Sequence, residues 1–529
     1  MRGMERREFL AISSLSLAAS ALPPPAAEGS RSEAESLSPR TPATGAAGHD
    51  LDFASALQAA DAIRERKVSS VELTRRAFER IDHHNPALNA FAFQLRDEAL
   101  AAARRADEAL ARGRSLGVFH GVPVHVKESF GVAGRPCTWG IAALRDSKTP
   151  RNSEVVARLL GAGAVLIGAT NVPVNLSDWQ SYNAIYGTTN SPWDLKRTPG
   201  GSSGGTAAAL AAGLGYLSVG SDIGGSIRVP AHFCGIYSHK PTLDLVSAQG
   251  HQPGGDWGSP GFSTLLAVAG PMARSAGDLL AAMKILGGPV GWDAKAWRWE
   301  LPASRGRSLR DFRVGYVLDD PIAPLTPEMK SVLEPVITRL ERAGAKLKAG
   351  WPAGYRPAEL LDNYLFHLFA FLETGAPPGA QEAQRKELAN FKIPRAGASL
   401  SSFSDWQQQN HRRLAFRAQW QSYFEEVDVF LSPVAFTPAF PHDHSEPQGD
   451  RTIATPDGPR RYVELLNWIA AATLTGCPAT SAPVGCTQGG LPVGVQIMGP
   501  YWEDATPITF AELLAHETGG FTPPPGYAD

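Results

Sequence analysis

Two glycine-dense turns that carry serine, separated by a run of alanine, constrain this chain more than any other feature of its 529 residues. The first, Pro199-Gly200-Gly201-Ser202-Ser203-Gly204-Gly205, leads into Thr206-Ala207-Ala208-Ala209-Leu210-Ala211-Ala212, whose small side chains suit a tightly packed helix. After a short strand, Tyr216–Gly220, comes the second, Ser221-Asp222-Ile223-Gly224-Gly225-Ser226-Ile227-Arg228. Successive glycines let backbone N–H groups converge on one point, which is what a carbonyl oxygen gaining charge requires. A serine hydroxyl in the same turn can supply the attack. Either turn alone also reads as an ordinary Gly-Ser turn. Neither ends in Gly-Lys-Ser/Thr, which disfavours a phosphate-cradling loop. Gly200–Gly204 satisfies G-x-S-x-G, but a nucleophile elbow follows a buried strand directly. Here Asn190–Pro199 holds two prolines and three charged residues and reads as a loop.

The surrounding pattern alternates helices and strands. Ser69-Ser70-Val71-Glu72 offers a capping box to a helix with Leu73, Ala77 and Ile81 on one face, ended by Pro86. Asp97–Leu110 is Ala-rich and helical, and Gly121–Lys127 alternates apolar residues as a half-buried strand does, with Lys127 at its end. A helix over Ser153–Gly161 precedes a strand over Ala164–Gly168, and this order favours an α/β class. No solenoid repeat or second domain is evident. The first residues differ from the rest. Arg6 and Arg7 precede Phe9-Leu10, a weakly apolar run and Ala19-Ser20-Ala21, the pattern of a cleavable leader. The paired arginines resemble a bacterial twin-arginine export signal, which places the mature protein in the periplasm or outside the cell. We divide the chain into a leader at 1–21, a linker at 22–50, stopped from helix formation by Pro23-Pro24-Pro25, and one catalytic domain at 51–529. Fifty basic against 52 acidic residues leave a charge of -2, which gives no electrostatic reason to expect nucleic acid as partner. No stretch reaches the roughly 18 apolar residues of a membrane span, so no stable membrane association is expected once the leader is removed.

The segments GVPVHVKESF, PGGSSGGTAAALAAG and GSDIGGSIRVPAHFCGIYSHKPT, in that order, resemble the amidase signature family of serine hydrolases. SVELTRRAFERIDHHNPALNAF resembles the family's leading helices, and VDVFLSPV and LTGCPATSAPVGCTQGGLPVGVQIMGP its closing segments. The resemblance implies a single α/β/α domain around a large mixed β-sheet, and a Lys-Ser-Ser triad on Lys127, Ser202 and Ser226. Ser226 would be the nucleophile. Ser202, following a cis Gly201–Ser202 peptide bond, would relay its proton, and the amides of Ile223, Gly224, Gly225 and Ser226 would form the oxyanion hole. Leu176, in NVPVNL, matches a position whose backbone lines the acyl pocket of a mammalian relative. The physical requirements agree: a lysine base must be neutral, and its ordinary pKa near 10.4 falls only through burial, for which Val122, Val124 and Val126 are suited. Asp222 and Arg228 are expected to pair and hold the nucleophile's turn.

Amide C–N hydrolysis through a Ser226 acyl-enzyme follows, on a small-molecule or oligomeric amide, with no cofactor and no metal. Carbamate or ester hydrolysis by the same triad is the alternative reading. The family also includes one component of a glutamine amidotransferase that works on charged transfer RNA inside the cell, a location that an exported chain would not share. Glu128 stands where aspartate is usual, and Ser238-His239 where Gly-Leu is frequent. The aromatic run Tyr364–Phe371 reads as core rather than pocket lining. Cys137, Cys234, Cys477 and Cys486 form no zinc-like spacing and read as small buried residues, and His442 and His444 lack a third metal ligand.

Overall fold

The strands expected before and between the serine turns form, and their alignment is what brings the turns to one edge. The computed structural model describes residues 51–255, 265–374, 398 and 401–528; the leader and linker read at 1–21 and 22–50 lie outside them. The main sheet has eleven strands: β1 (Phe91–Gln94), β2 (Pro123–Lys127), β3 (Val165–Thr170), β4 (Leu217–Asp222), β5 (Tyr237–Lys240), β6 (Val268–Ala273), β7 (Arg313–Tyr316), β8 (Lys346–Ala349), β9 (Val429–Pro433), β10 (Ala479–Cys486) and β11 (Pro492–Met498). Their order is β1-β3-β2-β4-β6-β5-β10-β11-β9-β7-β8. The sheet is mixed: β3, β2 and β4 run parallel, as do β9, β7 and β8, while the central pairs are antiparallel.

Helices cover both faces, and the side chains of β6 show how. Met272 joins a cluster with Ala207, Leu210, Ile227 and Ala231, from the helices Gly204–Ala211 and Arg228–Cys234 that follow the two serine turns. Its neighbour Ala273 belongs instead to the large core containing Ala276 and Leu279 of the helix Ala276–Leu286. The fold is thus of the α/β class that the alternation predicts, in the α/β/α arrangement around a large mixed sheet that the family resemblance implies. The run Gly204–Ala211 is wholly buried. A Cβ on Gly205 would sit 2.6 Å from the Asn171 amide nitrogen and from the Ala90 carbonyl oxygen, so only glycine lets this helix approach the end of β3.

Several boundaries differ from expectation. The capping box forms at Ser69 and Glu72, but the helix runs over Ser70–Leu88, past Pro86. A proline in the last turn removes only one N–H, and the helix is capped at Asn89 in the left-handed region, where Asn85 accepts at its carbonyl from the Asn89 N–H at 2.7 Å and at Oδ1 from the N–H groups of Ala90 and Phe91 at 2.8 and 3.2 Å. β3 and β4 each extend two residues beyond their expected ends, to Thr170 and Asp222, because pairing with neighbouring strands continues there. Cys137, Cys234 and Cys477 are buried, but Cys486, at the end of β10 where the hairpin turns, is exposed.

Candidate active site

Lys127 ends β2, and Ser221 and Asp222 end the adjacent parallel β4. The register pairs Val126 with Val219, so both strand ends open on the same edge. From there the wholly buried Lys127 donates from Nζ to Ser202 Oγ at 2.7 Å and to Ser221 Oγ at 3.0 Å. Burial drives its ammonium down to about 7, against the opposing pull of Asp222 and Glu128. The Gly201–Ser202 peptide bond is cis. The next residue ties the two turns together: the Ser203 N–H donates to the Ser226 carbonyl at 3.1 Å. Ser226, 6% exposed, opens the approach to the helix Arg228–Cys234.

The turn before Ser226 is held from within by Asp222. Its carboxylate accepts from the Gly225 N–H at 2.9 Å, the Ile227 N–H at 3.2 Å, and Arg228 Nε and Nη2 at 3.0 and 2.9 Å. Burial opposes its charge, but the Arg228 guanidinium outweighs that and keeps the carboxyl below its ordinary range. Arg228 also donates to the Ile469 carbonyl, Gln496 and Thr473. Every polar atom of the pair is therefore engaged, and the pair expected from sequence is present with both side chains fully buried. Removing one partner of such a pair strands the other's charge. Arg228→Met is expected to cost about 3–5 kcal/mol of stability, read from urea unfolding monitored by tryptophan fluorescence.

The backbone donors are not equivalent. Gly225 has φ +89, in the left-handed region that favours glycine, and its N–H points at Asp222. Of the four amides expected to meet the oxyanion, this one is therefore engaged by a carboxylate within the turn itself. The Ile223 carbonyl accepts from Tyr364 OH at 2.8 Å, and the Gly224 carbonyl from Trp179 Nε1 at 2.8 Å. Leu176 sits in the turn Val174–Leu176 with φ +58 and is half-buried; its N–H donates to the Pro173 carbonyl at 3.1 Å.

Glu128, buried beside Lys127 in sequence, turns to a separate group of donors. It accepts from the Thr138 N–H at 2.6 Å, Thr138 Oγ1 at 2.7 Å, the Trp139 N–H at 3.0 Å and Tyr186 OH at 3.2 Å. Burial pushes its carboxyl up to about 7 in spite of these bonds. His442 and His444 lie apart from the serine turns, one bonded to Asn190 Oδ1 and the other stacked on Tyr182. Among the described residues no group of three His, Cys, Asp or Glu side chains could hold a metal. Sequence reasoning missed Ser221, Trp179 and the hydroxyl of Tyr364. Only Ser221 carried a local signal, being the first residue of the turn that follows the expected strand Tyr216–Gly220. The other two reach the site from loop and helix positions that no spacing rule connects to it.

The profile of the family described as Amidase matches residues 72–507. The indoleacetamide hydrolase of Bradyrhizobium diazoefficiens is 31% identical over 462 residues, covering 85% of this chain and 84% of the relative. A component of the glutamyl-tRNA(Gln) amidotransferase of Cyanothece sp. (strain PCC 7425 / ATCC 29141) is 31% identical over 459 residues, covering 82% and 91%. The crystal structure of a bacterial aryl acylamidase of the amidase signature family superposes with a TM-score of 0.74 at 22% identity, over 91% of this chain and 98% of that one, a likeness of fold. With a family match over most of its length and the same fold around its serine turns, the chain belongs to the Amidase family, the amidase signature enzymes.

Proposed function

We propose that this enzyme hydrolyses a carboxamide C–N bond through an acyl-enzyme on Ser226, with Lys127 and Ser202 moving the proton. The observation that carries this reading is the wholly buried Lys127 amine, held at 2.7 Å from Ser202 Oγ with burial bringing it near neutrality at ordinary pH. A neutral amine has a lone pair to accept a proton; a surface lysine does not at pH 7. In the first half, Ser226 Oγ bonds to the amide carbon while its proton passes to Ser202 Oγ, whose own proton goes to Lys127 Nζ. The carbonyl oxygen takes up the electron pair and is met by backbone N–H groups of the turn. Collapse of this intermediate breaks the C–N bond, and the proton returns along the same path to the leaving nitrogen. Water then attacks the ester on Ser226 in the same sense and releases the acid.

Leu466 and Ile469 lie beside the glycines of the nucleophile's turn, which favours an uncharged acyl group there. The Arg6-Arg7 leader supports action on a free small-molecule amide outside the cytoplasm, as a separate enzyme rather than as part of an amidotransferase. The test pairs a p-nitroanilide with the p-nitrophenyl ester of the same acyl group. We expect turnover of both, a burst of nitrophenol from the ester, and, after acid quenching, mass spectrometry that finds the acyl group on the peptide containing Ser226 at that residue. Acylation of Ser202 instead would reverse the roles of the two serines. Cleavage of the ester with none of the anilide would make the protein an esterase.

A further inference from the structure

We infer that Tyr364 and Trp179 are positioning residues for the oxyanion donor, each holding one peptide plane of the turn that leads to Ser226. The inference rests on the amidase reading above. In a trans peptide the carbonyl and the following N–H point in opposite directions, so a bond that fixes one fixes the other. In the Gly224–Gly225 plane both ends are engaged: the Gly224 carbonyl accepts from Trp179 Nε1 at 2.8 Å, and the Gly225 N–H donates to Asp222 at 2.9 Å. In the Ile223–Gly224 plane the carbonyl accepts from Tyr364 OH at 2.8 Å. The N–H at its other end, that of Gly224, is thereby turned away from Tyr364. Among the described residues no hydrogen bond within the turn engages this N–H, whereas that of Gly225 is taken by Asp222, so of the two it is the Gly224 N–H that is left to meet an oxyanion on Ser226.

Both side chains are themselves anchored. Tyr364 is fully buried in the helix Pro357–Thr374, and its hydroxyl lies 3.7 Å from where a Cβ on Gly224 would stand. Trp179 reaches the other serine turn as well. A Cβ on Gly201 would lie 2.8 Å from the Trp179 carbonyl carbon and 2.8 Å from the Gln180 amide nitrogen, so the backbone of Trp179 rests on the residue before Ser202 while its indole holds the turn before Ser226. Behind it Asp178 accepts from Arg451 Nη1 at 2.7 Å and from Tyr462 OH, and the Tyr462 ring meets the indole edge-on at 5.2 Å. A tryptophan so placed spaces the two serine turns. An unclamped glycine pair would rotate its peptide planes freely, and a donor that must find its direction during the reaction stabilises the oxyanion less than one already aimed.

Tyr364→Phe and Trp179→Phe remove one N–H or O–H donor each and keep an aromatic ring in place. With rates expressed per active site from burst titration, Tyr364→Phe is expected to lower kcat roughly tenfold and Trp179→Phe, whose plane Asp222 also holds, by a smaller factor, each with KM within about twofold of wild type. A trifluoromethyl ketone carrying the substrate's acyl group adds to Ser226 as a tetrahedral oxyanion, and its Ki is expected to rise by the same factor as kcat/KM falls. Unchanged kcat in both variants overturns the inference. So does a loss that appears only in KM or only in the fraction of active enzyme, with the ketone's Ki unaltered. Ser226→Ala is measured alongside: retained turnover there overturns the amidase reading and this inference together, whereas its loss beside unaltered Phe variants overturns this inference alone.

Discussion

Ser226→Ala is expected to lower kcat roughly 10⁴- to 10⁶-fold on an anilide substrate while leaving the melting temperature within a few degrees of wild type. The size follows from the role: without Oγ no acyl-enzyme forms, and the remaining donors can only assist direct attack by water. The small effect on stability follows from the surroundings. The bonds that hold this turn run through backbone groups and through Asp222, not through the serine hydroxyl: Ser203 N–H to the Ser226 carbonyl, and Asp222 to the amides of Gly225 and Ile227. Single-turnover kinetics and calorimetry on the same preparation check both halves. A variant that keeps more than about a tenth of wild-type kcat would contradict the nucleophile's identity. The companion Ser202→Ala separates the serines, because loss of a proton relay slows acylation but leaves a nucleophile that still forms an ester with activated substrates.

Lys127→Met is expected to lower kcat/KM about 10³-fold and to unfold at the same or a higher temperature than wild type. The two halves have one cause. Burial takes this ammonium down to about 7, whereas in the unfolded chain it keeps its proton to about 10.4. Between those values the unfolded state binds more protons than the folded one, so this group's contribution to stability rises with pH from about 7 to about 10.4 and is most unfavourable below 7. Methionine, of similar length, carries no such charge, and the gain from removing the ammonium is expected to be largest at pH 7 and below, to shrink as the pH rises towards about 10.4, and to be absent above it. The charged groups that bear on Lys127 are Asp222 and Glu128, which favour its protonation, while burial keeps nearby His251 neutral with a pKa of about 3. For the wild type the same pKa predicts that kcat/KM climbs tenfold per pH unit below about 7 and levels above it. A profile flat between pH 5 and 9 would remove lysine as the base.

The chemistry was legible in the sequence because its parts are local. Glycine before serine, an alanine run after it and a lysine at the end of an alternating strand are each written within about ten residues, and glycine and alanine leave the backbone few alternatives. The Asp222–Arg228 pair could be read for the same reason, being six positions apart on either side of the turn it holds. Class of fold followed from the alternation of helix and strand periods, and the family resemblance extended it to a mixed sheet.

What the chain's order of residues does not write down is which distant groups meet. Tyr364 lies 141 positions from the carbonyl it holds, Trp179 lies 45 from its own, and Arg451 reaches back 273 positions to Asp178. The run Tyr364–Phe371 has the spacing of any buried helix face, and it is buried as expected as far as Phe369, but one hydroxyl on it ends at the nucleophile's turn. Periodicity reports which face of a helix is buried and not what it is buried against. The direction of the Gly225 N–H is of the same kind. A motif names four amides in a row, yet a carboxylate three residues earlier takes one of them, and only the folded turn reveals which. The residue types that carry the chemistry, and the local backbone that presents them, are therefore written in the order of the chain. The directions of those donors and the buried setting of Lys127 arise only in the packed molecule, because hydrogen-bond direction and desolvation depend on neighbours that the chain brings together on folding.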